Sequence, residues 1–208
     1  MQKTYNILIA GVGGQGNLVC GRVLADAAVS AGYRPVIGET FGASRRGGTV
    51  FTHVRVGIDD VGPLIPAHSA SLIVGLEPVE SLRAAIEYGG TATVVALNVR
   101  PVQTLESLSG KTKYPPIDEI LDALSSLGLA AYPVDAAIAL QDVESQRALN
   151  SFMLGAASAL KKMPMDVVQI RESVAKFMAH KDANLTAFNA GLSTIEQVLQ
   201  TNRGSSAS

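Results

Sequence analysis

Tryptophan is absent from this 208-residue chain, and cysteine occurs once, at Cys20. A single thiol cannot close an intrachain disulfide. Without a Cys-x-x-Cys pair or a Cys/His cluster, the sequence offers no ligand set for zinc or an iron–sulfur cluster. The three histidines, His53, His68 and His180, lie too far apart to form a metal motif. Excess charge is missing as well: 17 Lys and Arg against 18 Asp and Glu leave a net charge of −1, so no basic field favours nucleic acid or an acidic lipid surface. Five Phe and five Tyr leave little for base stacking. No apolar run approaches the roughly 18 residues of a membrane span, and Met1–Asn6 lacks the basic-then-apolar pattern of a leader. The expectation is a cytoplasmic protein with neither a nucleic-acid nor a membrane partner. With 47% hydrophobic residues the chain suffices for one core. Residues 1–201 are read as a single domain and 202–208 as a disordered polar tail.

What is present is a regular alternation of elements. Tyr5–Ala10 is a short apolar run, as expected of a buried parallel strand. Gly11-Val-Gly-Gly-Gln-Gly16 follows at once, and from Asn17 the residues Leu18, Val19, Val23, Leu24, Ala27 and Ala28 recur at helical spacing until Gly32. Pro35–Gly38 is a second short strand, ending in Glu39. Thr49–Val56 alternates, with Val50, Thr52, Val54 and Val56 on one face and Phe51, His53 and Arg55 on the other. No helix separates these two strands, which requires an antiparallel component in an otherwise parallel sheet. Ser71–Leu76, Thr91–Leu97 and Ala130–Pro133 read as further strands, with helices over Pro78–Glu87 and Asp118–Ser126. Asn98–Pro116 is a long proline-bearing loop. Beyond Asp135 helices dominate, over Ala136–Gln141, Ser145–Lys162, Asp166–Ala179 and Leu185–Gln200. The pattern predicts an α/β domain with a mostly parallel, mixed sheet and a helical C-terminal region.

Gly11, Gly13 and Gly16 form a Gly-x-Gly-x-x-Gly loop between a strand and a helix start, where backbone N–H groups and the helix dipole can cradle an anion. Gly14 adds freedom, and Gln15 offers a side-chain amide to the same anion. The alternative is that the glycines only allow the helix to pack closely on the strand. Glu39 stands where a dinucleotide site holds a ribose hydroxyl, although somewhat beyond the usual interval of ~20 residues. The intervening Phe41–Gly48 segment is foreign to dinucleotide folds, and no second domain is evident to bring substrate to a nicotinamide. Arg45 and Arg46 supply two planar cations suited to phosphate or carboxylate, with Ser44 beside them as a further donor; a solvated surface pair is the competing reading. Glu77, at the end of the strand Ser71–Leu76, either faces a ligand or complements the dipole of the helix it precedes. No nucleophile elbow, Cys–His pair or paired carboxylates stand out, so no catalytic residue is assigned; Glu39, Ser44 and Arg46 are retained as contributors.

Several stretches, in order along nearly the whole chain, resemble one known family: Tyr5–Gly16, Gly38–Gly48, Gly62–Pro66, Leu76–Leu82, Asn98–Pro101, Tyr114-Pro115 with Glu119-Ile120, Asn150 with Leu154–Ala156, and Asn184–Gly191. The chain resembles the gamma-type subunits of 2-oxoacid ferredoxin oxidoreductases. Asn98-Val-Arg-Pro101 and Tyr114-Pro115 place it nearest the indolepyruvate type, where this is the beta subunit. The resemblance implies a three-layer α/β/α, Rossmann-like fold. It also implies a division of labour, in which a larger alpha subunit carries thiamine diphosphate and the iron–sulfur clusters while this chain binds no cofactor tightly. The whole enzyme oxidises an aryl 2-oxoacid, passes electrons to ferredoxin and releases an acyl-coenzyme A. Coenzyme A would give Gly11, Gly13, Gly14, Gln15, Gly16, Arg45 and Arg46 an anion to bind. Where the family commonly has Ser-Gln-Arg-Gly, this chain has Ser44-Arg45-Arg46-Gly47, one charge more.

Overall fold

The computed structural model describes residues 4–42, 48–102, 114–140 and 148–205. Its centre is a six-stranded sheet in the order β2-β3-β1-β4-β5-β6. The strands are β1 (Tyr5–Val12), β2 (Arg34–Phe41), β3 (Thr49–Gly57), β4 (Ala70–Gly75), β5 (Gly89–Asn98) and β6 (Ala130–Val134). β1, β4, β5 and β6 pair in parallel, while β3 runs antiparallel to both β1 and β2. The direct β2–β3 connection dictates this, since a hairpin needs no crossover helix. Its register pairs Tyr5 with Val56 and Val12 with Thr49 across β1–β3, and Glu39 with Thr52 across β2–β3.

Strand periodicity divides the core in two. Ile7, Ile9, Val54, Val56, Leu72 and Val74 project to one face, where they meet α1 (Asn17–Ser30) and the C-terminal helices. Leu8, Ala10, Phe51, Ile73, Val95 and Leu97 project to the other, covered by α2 (Pro78–Tyr88) and α3 (Ile117–Ser126). The result is the expected α/β/α sandwich with a mixed sheet. Cys20 is fully buried on α1, and burial pushes its thiol up to about 12.

After β6 come α4 (Ala136–Ala139), α5 (Leu149–Ala159), α6 (Val167–Phe177) and α7 (Lys181–Ser205). Residues 141–147, which the apolar pattern assigns in part to the helices on either side, lie outside the described residues, as do residues 206–208 of the expected tail. α7 starts four residues before the expected Leu185. Its first turn is polar and invisible to apolar periodicity, yet it is held by Asn184, whose Nδ2 donates to the carbonyls of Ala179 and His180 while Oδ1 accepts from Ser151 Oγ at 2.6 Å. α5 and α7 cross at two facing glycines. A Cβ on Gly155 would lie 2.0 Å from the Phe188 carbonyl, and one on Gly191 would lie 2.0 Å from the Phe152 carbonyl.

Candidate functional site

The connections out of β1 and β4 leave in opposite directions, β1 through α1 toward β2 and β4 through α2 toward β5. Ligands of open α/β sheets gather in the crevice such a divergence creates at the carboxyl ends of the strands. Here it forms a cleft of about 810 Å³ lined by the glycine loop from Val12 to Gly16, by Asn98, Arg100, Pro101 and Val102 after β5, and by Ala136, Ala137, Leu140, Leu149 and Asn150. Its walls are mainly apolar, with a few polar groups between, as in sites for small organic ligands.

The loop is shaped by its own side chains. Gln15 Oε1 accepts from the Val12 N–H at 2.8 Å, and Gln15 Nε2 donates to the Leu76 carbonyl at 3.2 Å. The amide read from sequence as an anion donor is therefore engaged in joining β1 to β4. Gly14 and Gly16 take positive φ values of 99° and 83°, as only glycine does readily. Gly11 is small for a different reason: a Cβ there would lie 2.6 Å from Gln15 Oε1 and 3.0 Å from Asn17 Oδ1. Gly13 donates to the Gly48 carbonyl at 2.9 Å. Gly16 caps α1 with no side-chain oxygen. Among the described residues the N–H groups of Gly14, Gly16, Asn17 and Leu18 accordingly meet no acceptor. Four open donors at a helix start are the arrangement that receives an anion.

Arg100 is the one charged side chain on the described lining. Its Nε and Nη2 reach Asp135 Oδ1 and Oδ2 at 2.9 and 2.8 Å. Asp135 also accepts from the Ala137 and Ile138 N–H groups as the cap of α4. Burial alone would raise its pKa, but Arg100 and the two N–H groups outweigh burial and hold the carboxyl below its ordinary value. Asn98 Nδ2 donates to the Leu76 and Arg100 carbonyls, and Asn150 Nδ2 to the Gln15 carbonyl at 2.8 Å. Asn98, Arg100, Asp135 and Asn150 were not singled out as site residues by the chemistry of the sequence. The resemblance alone marked Asn98, Arg100 and Asn150, through the stretches that contain them.

The other sequence candidates fall into three groups. Ser44, Arg45 and Arg46 lie outside the described residues; the flanking Gly48 sits beside the site through its bond to Gly13. Glu39 accepts from Thr52 Oγ1 at 3.4 Å and lies on β2, with β3 between it and β1. Two strand spacings of ~4.8 Å set it roughly 10 Å from β1, so it cannot serve a ribose bound at the glycine loop as a dinucleotide fold requires. Glu77 is buried and fully occupied: Oε2 caps α2 through the Glu80 N–H at 2.9 Å, and Oε1 accepts from Tyr114 Oη at 2.5 Å. Burial and the adjacent Glu77 carboxylate together push the Tyr114 phenol upward. Of the two sequence readings of Glu77, the structural one matches this geometry.

Residues 6–194 match the family model described as pyruvate ferredoxin/flavodoxin oxidoreductase, and the chain belongs to that family. The indolepyruvate oxidoreductase subunit IorB of Archaeoglobus fulgidus is 37% identical over 188 residues, covering 89% of this chain and 92% of the relative. Its counterpart in Thermococcus kodakarensis is 34% identical over 200 residues, covering 95% and 98%. Among solved structures, the gamma subunit of a keto/oxoacid ferredoxin oxidoreductase from Geobacter sulfurreducens shares the fold with a TM-score of 0.65 at 20% identity, covering 93% of this chain and 99% of that one. A 2-oxoglutarate:ferredoxin oxidoreductase from Magnetococcus marinus, with 2-oxoglutarate, coenzyme A and succinyl-CoA bound, has a TM-score of 0.67 at 21% identity; the match covers 95% of this chain and 32% of that one.

Proposed function

We propose that this member of the pyruvate ferredoxin/flavodoxin oxidoreductase family is the small subunit of a heteromeric, aryl-2-oxoacid ferredoxin oxidoreductase of the indolepyruvate type, and that its switch-point cleft receives the phosphate-bearing part of coenzyme A. The observation that carries the reading is the coincidence of near full-length similarity to indolepyruvate oxidoreductase small subunits with an open-donor glycine loop at the switch point.

The described side chains do not suit the redox groups of such an enzyme. Cys20 is buried, and no three His, Cys, Asp or Glu residues come together among them. In this reading the iron–sulfur clusters, and thiamine diphosphate with them, belong to a larger partner that also hands electrons to ferredoxin. Coenzyme A, by contrast, fits what is present. The open N–H groups of Gly14, Gly16, Asn17 and Leu18 would hold a phosphate, and Arg100, oriented by Asp135, would stand on the cleft lining. The thiol supplies the acceptor for the acyl group, and this chain's part is to bind and orient. Ser44, Arg45 and Arg46 remain proposed contributors, since Gly48 at one end of their loop accepts from the Gly13 N–H.

The test is reconstitution. The purified chain alone should oxidise no 2-oxoacid, and turnover with indolepyruvate, coenzyme A and a ferredoxin-type acceptor should require a larger, thiamine-binding partner that co-purifies with it. Robust turnover by the chain alone would refute the proposal.

A further inference from the structure

The one cation on the described lining of the cleft does not stand at the glycine loop. Arg100 follows the end of β5, whereas the loop follows β1, and β4 runs between the two strands. Two strand spacings of ~4.8 Å set those strand ends on the order of 10 Å apart. The guanidinium is held away from the loop rather than toward it, because its Nε and Nη2 bind Asp135, which follows β6 on the far side of β5. The main chain around it is fixed as well. The Val99 N–H donates to the Val134 carbonyl at 3.0 Å, and Asn98 Nδ2 reaches the Arg100 carbonyl at 3.4 Å.

The manner of that hold decides what remains free. Asp135 takes the side edge of the guanidinium, made by Nε and Nη2. The end edge, formed by Nη1 and the second N–H of Nη2, meets no acceptor among the described residues. An arginine edge with two parallel N–H groups grips a phosphate through paired hydrogen bonds. The side chain is 55% exposed, so this edge is open to a ligand in the cleft. With hydrogen bonds of ~2.8 Å on either side, one phosphate joins neighbouring donors but cannot join donors on the order of 10 Å apart. From this separation we infer that Arg100 is a specificity-determining residue, a second anion subsite that receives the ribose 3′-phosphate of coenzyme A while the glycine loop holds the diphosphate. The apolar lining from Pro101, Leu140 and Leu149 suits the adenosine that joins those two groups. The inference rests on the reading that the cleft takes coenzyme A and deepens it, narrowing the ligand class to nucleotides phosphorylated at two separate points.

The discriminating probe is 3′-dephospho-coenzyme A, which lacks only that phosphate. Affinities for it and for coenzyme A are measured by calorimetry on the full chain, unaltered and carrying Arg100→Gln or Arg100→Lys. The unaltered chain should bind coenzyme A about tenfold more tightly than the dephospho compound, as a charge-assisted contact to one phosphate implies. Arg100→Gln should remove that preference, weakening coenzyme A to the dephospho level while dephospho affinity changes by less than about twofold. Arg100→Lys, which keeps the charge but not the planar fork, should retain part of the preference. Should Arg100→Gln fail to fold, as shown by its thermal transition, the two ligands on the unaltered chain and on Arg100→Lys still decide. Equal affinity of the unaltered chain for both ligands would overturn the inference and leave the coenzyme A reading standing. So would parallel losses for both ligands in Arg100→Gln, which would place the arginine at the diphosphate or in the scaffold. Binding of neither ligand by the unaltered chain would sink the reading of the cleft, and this inference with it.

Discussion

Gln15 spans from β1 to the end of β4: its Nε2 donates to the Leu76 carbonyl at 3.2 Å while its Oε1 accepts from the Val12 N–H at 2.8 Å. The Leu76 carbonyl also accepts from Asn98, and the Leu76 N–H donates to the Ala10 carbonyl at 2.8 Å. Three strand ends are thereby fixed to one another at the mouth of the cleft. Gln15→Leu keeps the size of the side chain but leaves the Val12 N–H and one approach to the Leu76 carbonyl unpaired. The expected cost is about 1–3 kcal/mol, read as a fall in melting temperature of about 2–4 °C per kcal/mol. A melting point unchanged from that of the unaltered protein would show that the clamp contributes nothing.

A second prediction concerns the helices that support the site from behind. Gly155 and Gly191 let α5 and α7 approach so closely that a methyl group at either position would lie 2.0 Å from a carbonyl oxygen of the other helix. Backbone cannot yield as a flexible side chain can. Alanine at either position is expected to cost about 1–3 kcal/mol or more through forced separation of the helices. Because α5 also carries Asn150, whose Nδ2 holds the Gln15 carbonyl, Gly155→Ala should in addition weaken ligand binding at the loop. Denaturant titration and calorimetry on the same variant measure the two effects.

Much of this arrangement is legible in the sequence, for identifiable reasons. The short interval between Glu39 and Thr49 has no room for a crossover helix, so the antiparallel β3 follows from chain length alone. The glycine loop announces itself because positive φ and close approach both demand glycine. Glu39 ends the second strand, as the acidic residue of a dinucleotide site does, though somewhat further along the chain; the strand order that inserts β3 beside β1 is not written locally. Asn98, Arg100, Asp135 and Asn150 escape chemical reading because each is an ordinary polar residue in its own segment. Only the convergence of β5, β6 and α5 on one end of the sheet makes them neighbours.

His53 gives the stability of the fold a pH dependence. Its ring is fully buried on β3; Nδ1 accepts from the Ile65 N–H at 3.3 Å, so Nε2 carries the proton and donates to Thr40 Oγ1 at 3.2 Å. Burial lowers its pKa, outweighing the opposing pull of Glu87. The unfolded imidazole titrates near the ordinary value of about 6.5, so below that pH the unfolded chain binds a proton that the folded chain resists. Stability is full above that value and is lost as the pH falls through the folded pKa. Glu80 acts in the opposite sense, since burial raises its carboxyl. Asp26, held low by Lys176 and Ser173 against the effect of burial, adds its loss only in the more acidic carboxylate range. Urea midpoints measured from pH 7.5 to 5 should therefore decline, and His53→Gln should flatten that decline while lowering the plateau. An unchanged slope in the variant would remove His53 from the account.

Gly14 separates a loop that binds from one that merely packs. At Gly16 the two roles cannot be divided, because a Cβ would both violate a φ of 83° and lie 2.5 Å from Asn150 Nδ2. At Gly14 the added atom meets nothing within 4 Å, so no packing contact requires glycine there. What requires it is the φ of 99°, a cost of about 1–2 kcal/mol for an L-residue. Gly14→Ala should thus fold, melt only a few degrees lower and still assemble with a partner subunit. Its methyl group would nonetheless stand on the cleft lining beside the open N–H groups of the loop. If those groups receive a phosphate, coenzyme A and pyrophosphate affinities should both fall by on the order of tenfold or more, as expected when charge-assisted hydrogen bonds to an anion are lost. If the glycines serve packing alone, the variant should assemble and bind like the parent, and the cleft would have to be assigned to a partner chain rather than to a ligand.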